Sequence, residues 1–259
     1  MTSNTPPIHQ PRPSLLFFHA HPDDEAIFTG GTIALLTDLG VGVTVVIATD
    51  DHHVGPIGAE TRRLEAESAA TGLKVDRLVF LGYPDSGLAG EPAPGSFAAT
   101  PTEEAADRLA AVAREVEATA IVAYDSGGIY GHPDHLAVHR VGTSAARLAE
   151  VPTVYQTTVD REHLHFVATH LVGRAVESLT RSSADGKLAG GSPTVLIDIT
   201  IDVASVLDRK RAAMAAHISQ IPPDSEAMLL DDATFAAVYG NEWYVRSGPP
   251  TVLDQLNTS

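Results

Sequence analysis

Short apolar runs that alternate with longer segments of helical period are the feature that most constrains this chain. The runs fall at residues 15–18, 43–48, 78–81 and 121–124. A continuous apolar run is typical of a strand buried on both faces, and an intervening helix lets successive strands run parallel. We therefore predict an α/β fold: a Rossmann-like three-layer sandwich with a mostly parallel sheet and helices on both faces.

The remaining periodic segments extend the same pattern. Helices are predicted at residues 29–39, 60–71, 102–119, 134–148, 161–180 and 203–218, and further strands at 154–159 and 195–199. Surface loops are predicted at residues 82–95 and 182–193. Because the composition does not change along the chain, we predict one domain over residues 14–259, preceded by a flexible lead-in at residues 1–13.

The charge balance and the lack of cysteine exclude several classes of function. The 259 residues include 33 acidic and 17 basic side chains, a formal net charge of −16, which disfavours binding to nucleic acid or to an anionic membrane. Without cysteine, disulfides, thiolate metal ligands and a cysteine nucleophile are excluded. The sequence shows no signal-like leader and no membrane-length apolar stretch. We therefore expect a cytoplasmic protein that acts on a small molecule, with homo-oligomerisation left open.

Two histidine-rich motifs follow the first and the fourth predicted strands. The first is His-Pro-Asp-Asp-Glu at residues 21–25, and the second is His-Pro-Asp-His at residues 132–135. Either motif alone could place carboxylates at a helix N-terminus for structural reasons. Two such motifs at strand carboxyl ends, where α/β sheets bind ligands, favour a metal site instead. Imidazole and carboxylate donors without thiolate suit a catalytic zinc.

These motifs resemble those of the PIG-L/LmbE family of N-acetylglucosaminyl deacetylases. The similarity continues in the Gly-Gly-Thr of residues 30–32, in Arg62 and Glu65, and in the Leu-Gly-Tyr-Pro-Asp-Ser-Gly of residues 81–87. The segment KRAAMAAHISQ at residues 210–220 is similar to the C-terminal helix of the mycothiol-pathway members. Together these segments span about two-thirds of the chain in the order expected of the family.

The resemblance implies a division of roles within the two motifs. His21, Asp24 and His135 would hold the metal, and Asp23 would stay unligated as the general base. His132 would stabilise the tetrahedral intermediate and protonate the leaving amine. A general base beside a metal that acidifies water is chemically sound.

Further roles are expected around this centre. A carboxylate beside His132 would raise its pKa as a general acid requires, and Asp134 is the expected partner. Tyr130 matches a tyrosine that assists the oxyanion in the mycothiol-pathway branch, with surface packing as the alternative. Arg62 is expected to contact substrate hydroxyls or a phosphate-like group, and Asp85 is a second expected substrate contact.

The loop after the second predicted strand departs from many members of the family, which carry a Gly-Glu pair there. This chain has His52 and His53 instead, for which solvated loop positions are favoured over an acceptor site or a second metal. His139 follows His135 at i+4 and could support the ligands from the same helix face. Other histidines lack a paired ligand and are expected to be structural or exposed: His9, His163, His165, His170 and His217.

We predict a zinc-dependent hydrolase, with iron as the alternative metal, that removes an N-acyl group from an amino sugar or its conjugate. The acyl group is expected to be acetyl, and amide cleavage of a mycothiol-type thiol conjugate stays open. A non-catalytic sugar- or nucleotide-binding module is disfavoured because no glycine-rich phosphate loop follows the first strand. A serine hydrolase is disfavoured because the sequence has no Gly-x-Ser-x-Gly elbow.

Overall fold

A computed structural model describes residues 12–50, 58–88, 90–170 and 190–258. The strands are β1 Ser14–His19, β2 Gly42–Thr49, β3 Arg77–Tyr83, β4 Ala120–Tyr124, β5 Val154–Thr158, β6 Ile199–Asp202 and β7 Asn241–Ser247. They form one sheet in the order β3-β2-β1-β4-β5-β7-β6. Strands β1 to β5 pair in parallel, and β7 is antiparallel to both β5 and β6. The predicted α/β fold with a mostly parallel sheet is confirmed.

Helices connect most of these strands. They are α1 Asp24–Asp38, α2 Ala59–Gly72, α3 Thr102–Glu115, α4 Gly128–Gly131, α5 Pro133–Leu148, α6 Arg161–His170, α7 Leu207–Ala216, α8 Glu226–Leu229 and α9 Asp232–Tyr239. Short 3₁₀ helices occupy Thr194–Leu196, Ala204–Val206 and Val252–Leu256. Within the described ranges, no helix has the length and apolar character needed to cross a membrane.

Several elements begin or end away from their predicted positions. Helix α1 begins at Asp24, earlier than predicted, because Asp24 and Glu25 form its acidic first turn and suit the helix dipole. The strand predicted at residues 195–199 is a 3₁₀ turn followed by β6, and the tail after residue 218 supplies α8, α9 and β7. Residues 1–11, 51–57 and 171–189, which include parts of the predicted lead-in, of the late helix and of the loop at 182–193, lie outside the described residues.

Two apolar cores cover the two faces of the sheet. In β1, Leu15 and Phe17 belong to the core beneath α1, α2 and α7, whereas Leu16 and Phe18 belong to the core beneath α3 and α5. All four side chains are fully buried. Because successive side chains of a strand point to opposite faces, a strand covered on both sides must be apolar throughout. This explains the continuous apolar runs in the sequence.

A buried carboxylate from β7 holds the middle of α1. The amides of Gly31 and Thr32 donate to the two oxygens of Glu242, each at 2.8 Å. Lys210 Nζ on α7 lies 2.7 Å from Glu242 Oε1, and both side chains are almost fully buried. An unpaired buried charge is strongly destabilising, so loss of either Lys210 or Glu242 would leave the other charge buried without its partner. The contact ties α1, which begins in the first histidine motif, to α7 and β7.

Replacing Gly31 with Ala is expected to lower the free energy of unfolding by about 1–3 kcal/mol, the usual cost of overpacking a core. A Cβ atom at Gly31 would lie 2.4 Å from Val203 Cβ, so α1 must shift. The matched control is Gly72→Ala in α2, where a Cβ meets nothing within 4 Å. Denaturant unfolding should find the control unchanged or up to about 1 kcal/mol more stable. Equal stabilities of the two variants would contradict this packing argument.

Candidate metal centre

The two histidine-rich loops meet because their strands are neighbours. Strands β1 and β4 pair in parallel at the centre of the sheet, and the chain continues from β1 to one side and from β4 to the other. In open α/β sheets this switch point is where ligands bind. The loop after β1 carries His21 and Asp23 and leads to Asp24 at the start of α1, and the loop after β4 leads to His132 and His135.

Three buried side chains from these loops bring their donor atoms together. Asp24 Oδ2 lies 3.4 Å from His21 Nδ1 and 3.3 Å from His135 Nε2. One donor atom from each of the three residues lies within 4.8 Å of the other two. Two imidazole nitrogens and a carboxylate oxygen form a typical donor set for a catalytic zinc that keeps an open position. The structure therefore brings together the three residues predicted as metal ligands.

The charges around these donors favour a cation. Burial lowers the pKa of His21, but hydrogen bonds to Asp134 and Asp24 outweigh it and hold this pKa well above its usual range. Burial raises the pKa of Asp24, but the charge of His135 and its hydrogen bond hold this pKa well below its usual range. Nδ1 of His135 is buried and has no hydrogen-bond partner among the described residues. The donor set, in which His135 presents Nε2 rather than this Nδ1 to Asp24, fits a divalent metal ion.

The carboxylate of Asp134 orients His21 rather than His132. Its Oδ2 lies 3.2 Å from His21 Nε2 and accepts a hydrogen bond from the Ser86 amide at 2.9 Å. Its Oδ1 accepts from the Ala98 amide at 3.0 Å and from the Ser86 hydroxyl. A carboxylate on the far nitrogen of a ligand histidine fixes its tautomer and its aim. The predicted pairing of this carboxylate with His132 is wrong, because donors from the segment after β3 and His21 surround it.

His132 contacts Asp134 through the backbone instead. Its Nδ1 accepts a hydrogen bond from the Asp134 amide at 3.1 Å, so the proton of the neutral ring lies on Nε2. Burial, together with the charges of His21 and His135, lowers the pKa of His132 to about 4. The carboxylate of Asp85 is 4.0 Å from Nε2. The predicted rise in the pKa of His132 is therefore wrong, and the ring is a neutral hydrogen-bond donor near pH 7.

Asp23 lies in a strained backbone conformation beside the ligands. Its φ is 118°, a region that side-chain-bearing residues rarely adopt and that is found mainly at functional sites. Burial and the neighbouring Asp24 carboxylate raise the pKa of Asp23 to about 7. A carboxyl group with a pKa near 7 can both accept and return a proton under neutral conditions.

The Arg62 side chain contacts two residues of the first histidine motif, Pro22 and Asp23. Its Nη2 donates to the Pro22 carbonyl at 2.6 Å and lies 3.9 Å from Asp23 Oδ1. The side chain is buried, with only 5% of the residue surface exposed, so its position differs from that of an exposed helix arginine. The predicted contact of Arg62 with substrate stays a prediction.

Asp85 and Tyr130 each contact one of the two histidines of the donor group. Asp85 Oδ2 is 3.6 Å from His21 Nε2; burial raises the pKa of Asp85, but its hydrogen bond to His21 and the charge of that ring hold it below its usual range. The Tyr130 hydroxyl lies 3.2 Å from His135 Nε2, and burial and the Asp24 charge raise its pKa. Tyr130 thus faces the centre rather than packing on the surface.

Other polar groups near the centre had a weaker signal in the sequence or none. Ser86 belongs to the quoted third-strand motif, but its link to Asp134 was not predicted. His139 Nδ1 donates a hydrogen bond to the Tyr124 carbonyl oxygen at 3.0 Å, so this nitrogen contacts β4 rather than the ligands. His217, expected to be structural or exposed, is fully buried with Nε2 2.6 Å from Glu25 Oε1. His52 and His53 lie outside the described residues.

Comparison with known proteins agrees with this geometry. The family model described as GlcNAc-PI de-N-acetylase matches residues 16–146. A 1D-myo-inositol 2-acetamido-2-deoxy-alpha-D-glucopyranoside deacetylase of Nocardia farcinica is 36% identical over 275 residues, covering 91% of this chain and 91% of that protein. The chain belongs to the GlcNAc-PI de-N-acetylase family. The predicted family and the predicted enzyme class, an N-deacetylase acting on amide bonds, are confirmed.

Solved structures of other deacetylases share the fold of this GlcNAc-PI de-N-acetylase family member. A deacetylase of the teicoplanin biosynthesis pathway superposes with a TM-score of 0.61 at 19% identity, covering 90% of this chain and 98% of that one. The N,N'-diacetylchitobiose deacetylase from Pyrococcus horikoshii superposes with a TM-score of 0.55 at 23% identity, covering 91% and 84%. At these identities the similarity shows the fold alone.

Proposed function

We propose that this enzyme hydrolyses the acetamido group of an N-acetylglucosamine-type sugar or conjugate, with zinc as the metal. The observation that carries the proposal is the position of Asp23, whose pKa is near 7, directly beside a buried group of two histidines and a carboxylate. His21, Asp24 and His135 would hold the ion. A bound divalent cation acidifies water and polarises an amide carbonyl.

Asp23 would act as general base. Its carboxylate takes a proton from the attacking water as the water oxygen bonds to the amide carbon. At pH values above about 7 the carboxylate is ionised and competent, and a bound cation would extend this range to lower pH, because positive charge favours the carboxylate. The backbone strain at Asp23 is of the kind that holds a reacting group in one orientation.

His132 and Tyr130 would stabilise the negative charge that develops on the carbonyl oxygen. Both are neutral donors near pH 7, because the pKa of His132 is about 4 and that of Tyr130 is raised. Donors that are already oriented in a buried site favour the transition state without reorganisation. This changes the role expected of His132 from proton donor to hydrogen-bond donor.

Asp23 would also complete the reaction. When the bond between the carbonyl carbon and nitrogen breaks, the proton held by Asp23 passes to the nitrogen, so the amine leaves neutral. The second proton of the water stays on the acyl product, which leaves as acetic acid and then ionises to acetate by losing that proton to solvent. One carboxyl group serving as base and then as acid requires a pKa near the working pH, as Asp23 has.

The substrate class rests on the relatives. The Nocardia farcinica protein is named for deacetylating a glucosaminyl inositol, and the family model is named for a phosphatidylinositol-linked GlcNAc. A small N-acetylglucosaminyl conjugate is therefore the proposed substrate. Amide cleavage of a mycothiol-type thiol conjugate is the alternative within the same chemistry. Iron as the native metal, a cytoplasmic location and homo-oligomerisation stay predictions.

An acetate-release screen tests the function. Purified enzyme loaded with one equivalent of zinc would be assayed against N-acetylglucosamine, N,N'-diacetylchitobiose, a GlcNAc–inositol and a cysteinyl–glucosamine amide. We expect the GlcNAc–inositol to give the largest kcat/KM, with the free monosaccharide at least tenfold lower. Release of amine from the cysteinyl amide alone would favour the alternative, and hydrolysis of none of the four would contradict the proposed substrate class.

A further inference from the structure

His217, at the C-terminal end of α7, lies deep beneath the first motif. It is fully buried, and its Nε2 is 2.6 Å from Glu25 Oε1. The two residues are 192 positions apart in the sequence, so only the packing of α7 on α1 brings them together. Neither side chain has a role in the deacetylation steps proposed above.

The other oxygen of Glu25 leads directly to the proposed base. Glu25 Oε2 accepts a hydrogen bond from the Asp23 amide at 3.0 Å. Two hydrogen bonds in series therefore connect His217 to the backbone of Asp23. The connection ends at the Asp23 amide and does not include the Asp23 carboxylate. It therefore affects the position of the residue.

The connection reaches a strained backbone position of the site. Asp23 has φ 118°, and a non-glycine residue stays in such a conformation only where its surroundings hold it. The Arg62 side chain holds the preceding residue through the Pro22 carbonyl. The Glu25 carboxylate holds the Asp23 amide, and His217 in turn fixes one oxygen of that carboxylate.

The end of α7 is itself anchored, so His217 cannot easily follow a moving Glu25. The amide and the hydroxyl of Ser219 donate to Glu65 on α2 at 2.9 and 2.6 Å. Helix α7 also packs against both α1 and α2. The position of His217 is therefore held by contacts among three helices, α1, α2 and α7.

We propose that His217 is a positioning residue, which holds Asp23 in its reactive backbone conformation through Glu25. The inference rests on the proposed function of Asp23 as the base. It assigns a role to the AHISQ segment of the quoted C-terminal helix, which the metal centre does not use.

The kinetic test compares His217→Ala with His217→Gln in zinc-loaded enzyme. We expect His217→Ala to lower kcat about 10- to 100-fold, with KM within about twofold and one equivalent of zinc retained, because a misplaced base slows proton transfer without removing the substrate or the metal. His217→Gln retains a side-chain N–H donor that can reach Glu25, so it should recover most of kcat. Equal kcat losses for Ala and Gln would overturn the proposal.

A histidine away from the site is the matched control. His163 on α6 places Nε2 2.9 Å from the Ala237 carbonyl oxygen. His163→Ala should lower stability without changing kcat per folded molecule. In an Asp23→Asn background, His217→Ala should cost no further kcat, since the residue it positions is no longer a base. Fully multiplicative losses would overturn the proposal.

A measurement without substrate separates this inference from the proposed function. The Asp23 amide proton, assigned by ¹⁵N NMR, should be protected from exchange in the wild type and lose protection in His217→Ala but not in His163→Ala. An Asp23 amide that exchanges equally in all three overturns the positioning role, whatever the activity. Lost protection in an enzyme that hydrolyses no N-acetyl sugar would leave the positioning intact and refute only the proposed function.

Discussion

Asp23→Asn is expected to lower kcat by about 10²- to 10⁴-fold, the range that a positioned general base contributes, while one equivalent of zinc stays bound. The amide cannot take a proton from water, yet it has nearly the shape of the carboxylate. The Asp23 side chain belongs to neither of the two described groups of possible metal donors. These groups are His21, Asp24 and His135, and His21, Asp85, His132 and Asp134. Metal content by mass spectrometry and kcat from acetate release would be measured on the same preparation.

The pH dependence of kcat/KM, compared between the wild type and this variant, gives a second test of Asp23 as the base. Wild-type kcat/KM should fall as the pH drops below about 7, because the Asp23 carboxyl group then takes up a proton. A bound cation would move this fall to lower pH, since positive charge favours the carboxylate. The residual activity of Asp23→Asn should lack the fall. An exposed helix carboxylate, Asp107, provides the control as Asp107→Asn. Full activity in Asp23→Asn would remove Asp23 as the base.

Asp24→Ala is expected to lose stoichiometric metal and, with it, essentially all deacetylation. Asp24 Oδ2 is the atom that lies next to both His21 and His135, at 3.4 and 3.3 Å. Its removal takes away the only carboxylate in the proposed ligand set and leaves two histidines. Zinc affinity should therefore fall by more than the roughly 10- to 100-fold typical of losing an outer partner. Competition with a chromogenic chelator would measure it.

Asp134→Asn is the matched comparison for this loss. Asp134 contacts His21 but contributes no donor to the proposed set, so the expected drop in zinc affinity lies within that 10- to 100-fold range. Chelator-stripped wild type should regain activity on addition of zinc, whereas Asp24→Ala should not. Zinc binding to the wild type should weaken as the pH falls, because metal and proton compete for His21, whose pKa is raised. Unchanged metal content in Asp24→Ala would contradict the ligand assignment.

The local pattern of the sequence was sufficient for the parallel half of the fold. The runs at residues 15–18, 43–48, 78–81 and 121–124 are apolar throughout because helices cover both faces of these strands. The strand at 154–159 was also predicted and is β5, but the last two strands, β6 and β7, were harder to predict. In the sheet, β7 lies between β5 and β6 and is antiparallel to both, an order that no local period encodes.

The same division holds for the metal centre. The two histidine motifs, read with the alternation of strands and helices, predicted a metal site at the carboxyl ends of two parallel strands. The choice of His21, Asp24 and His135 as the ligands came from the family resemblance, and the pairing of β1 with β4 that brings them together came from the structure. Only the tertiary structure decided which groups the residues around the metal ligands contact. It turned the Asp134 carboxylate to His21, left His132 neutral, and placed His217 on Glu25 across 192 residues. Hydrogen-bond partners and burial depend on contacts distant in sequence, and these set the pKa values and the aim of each side chain.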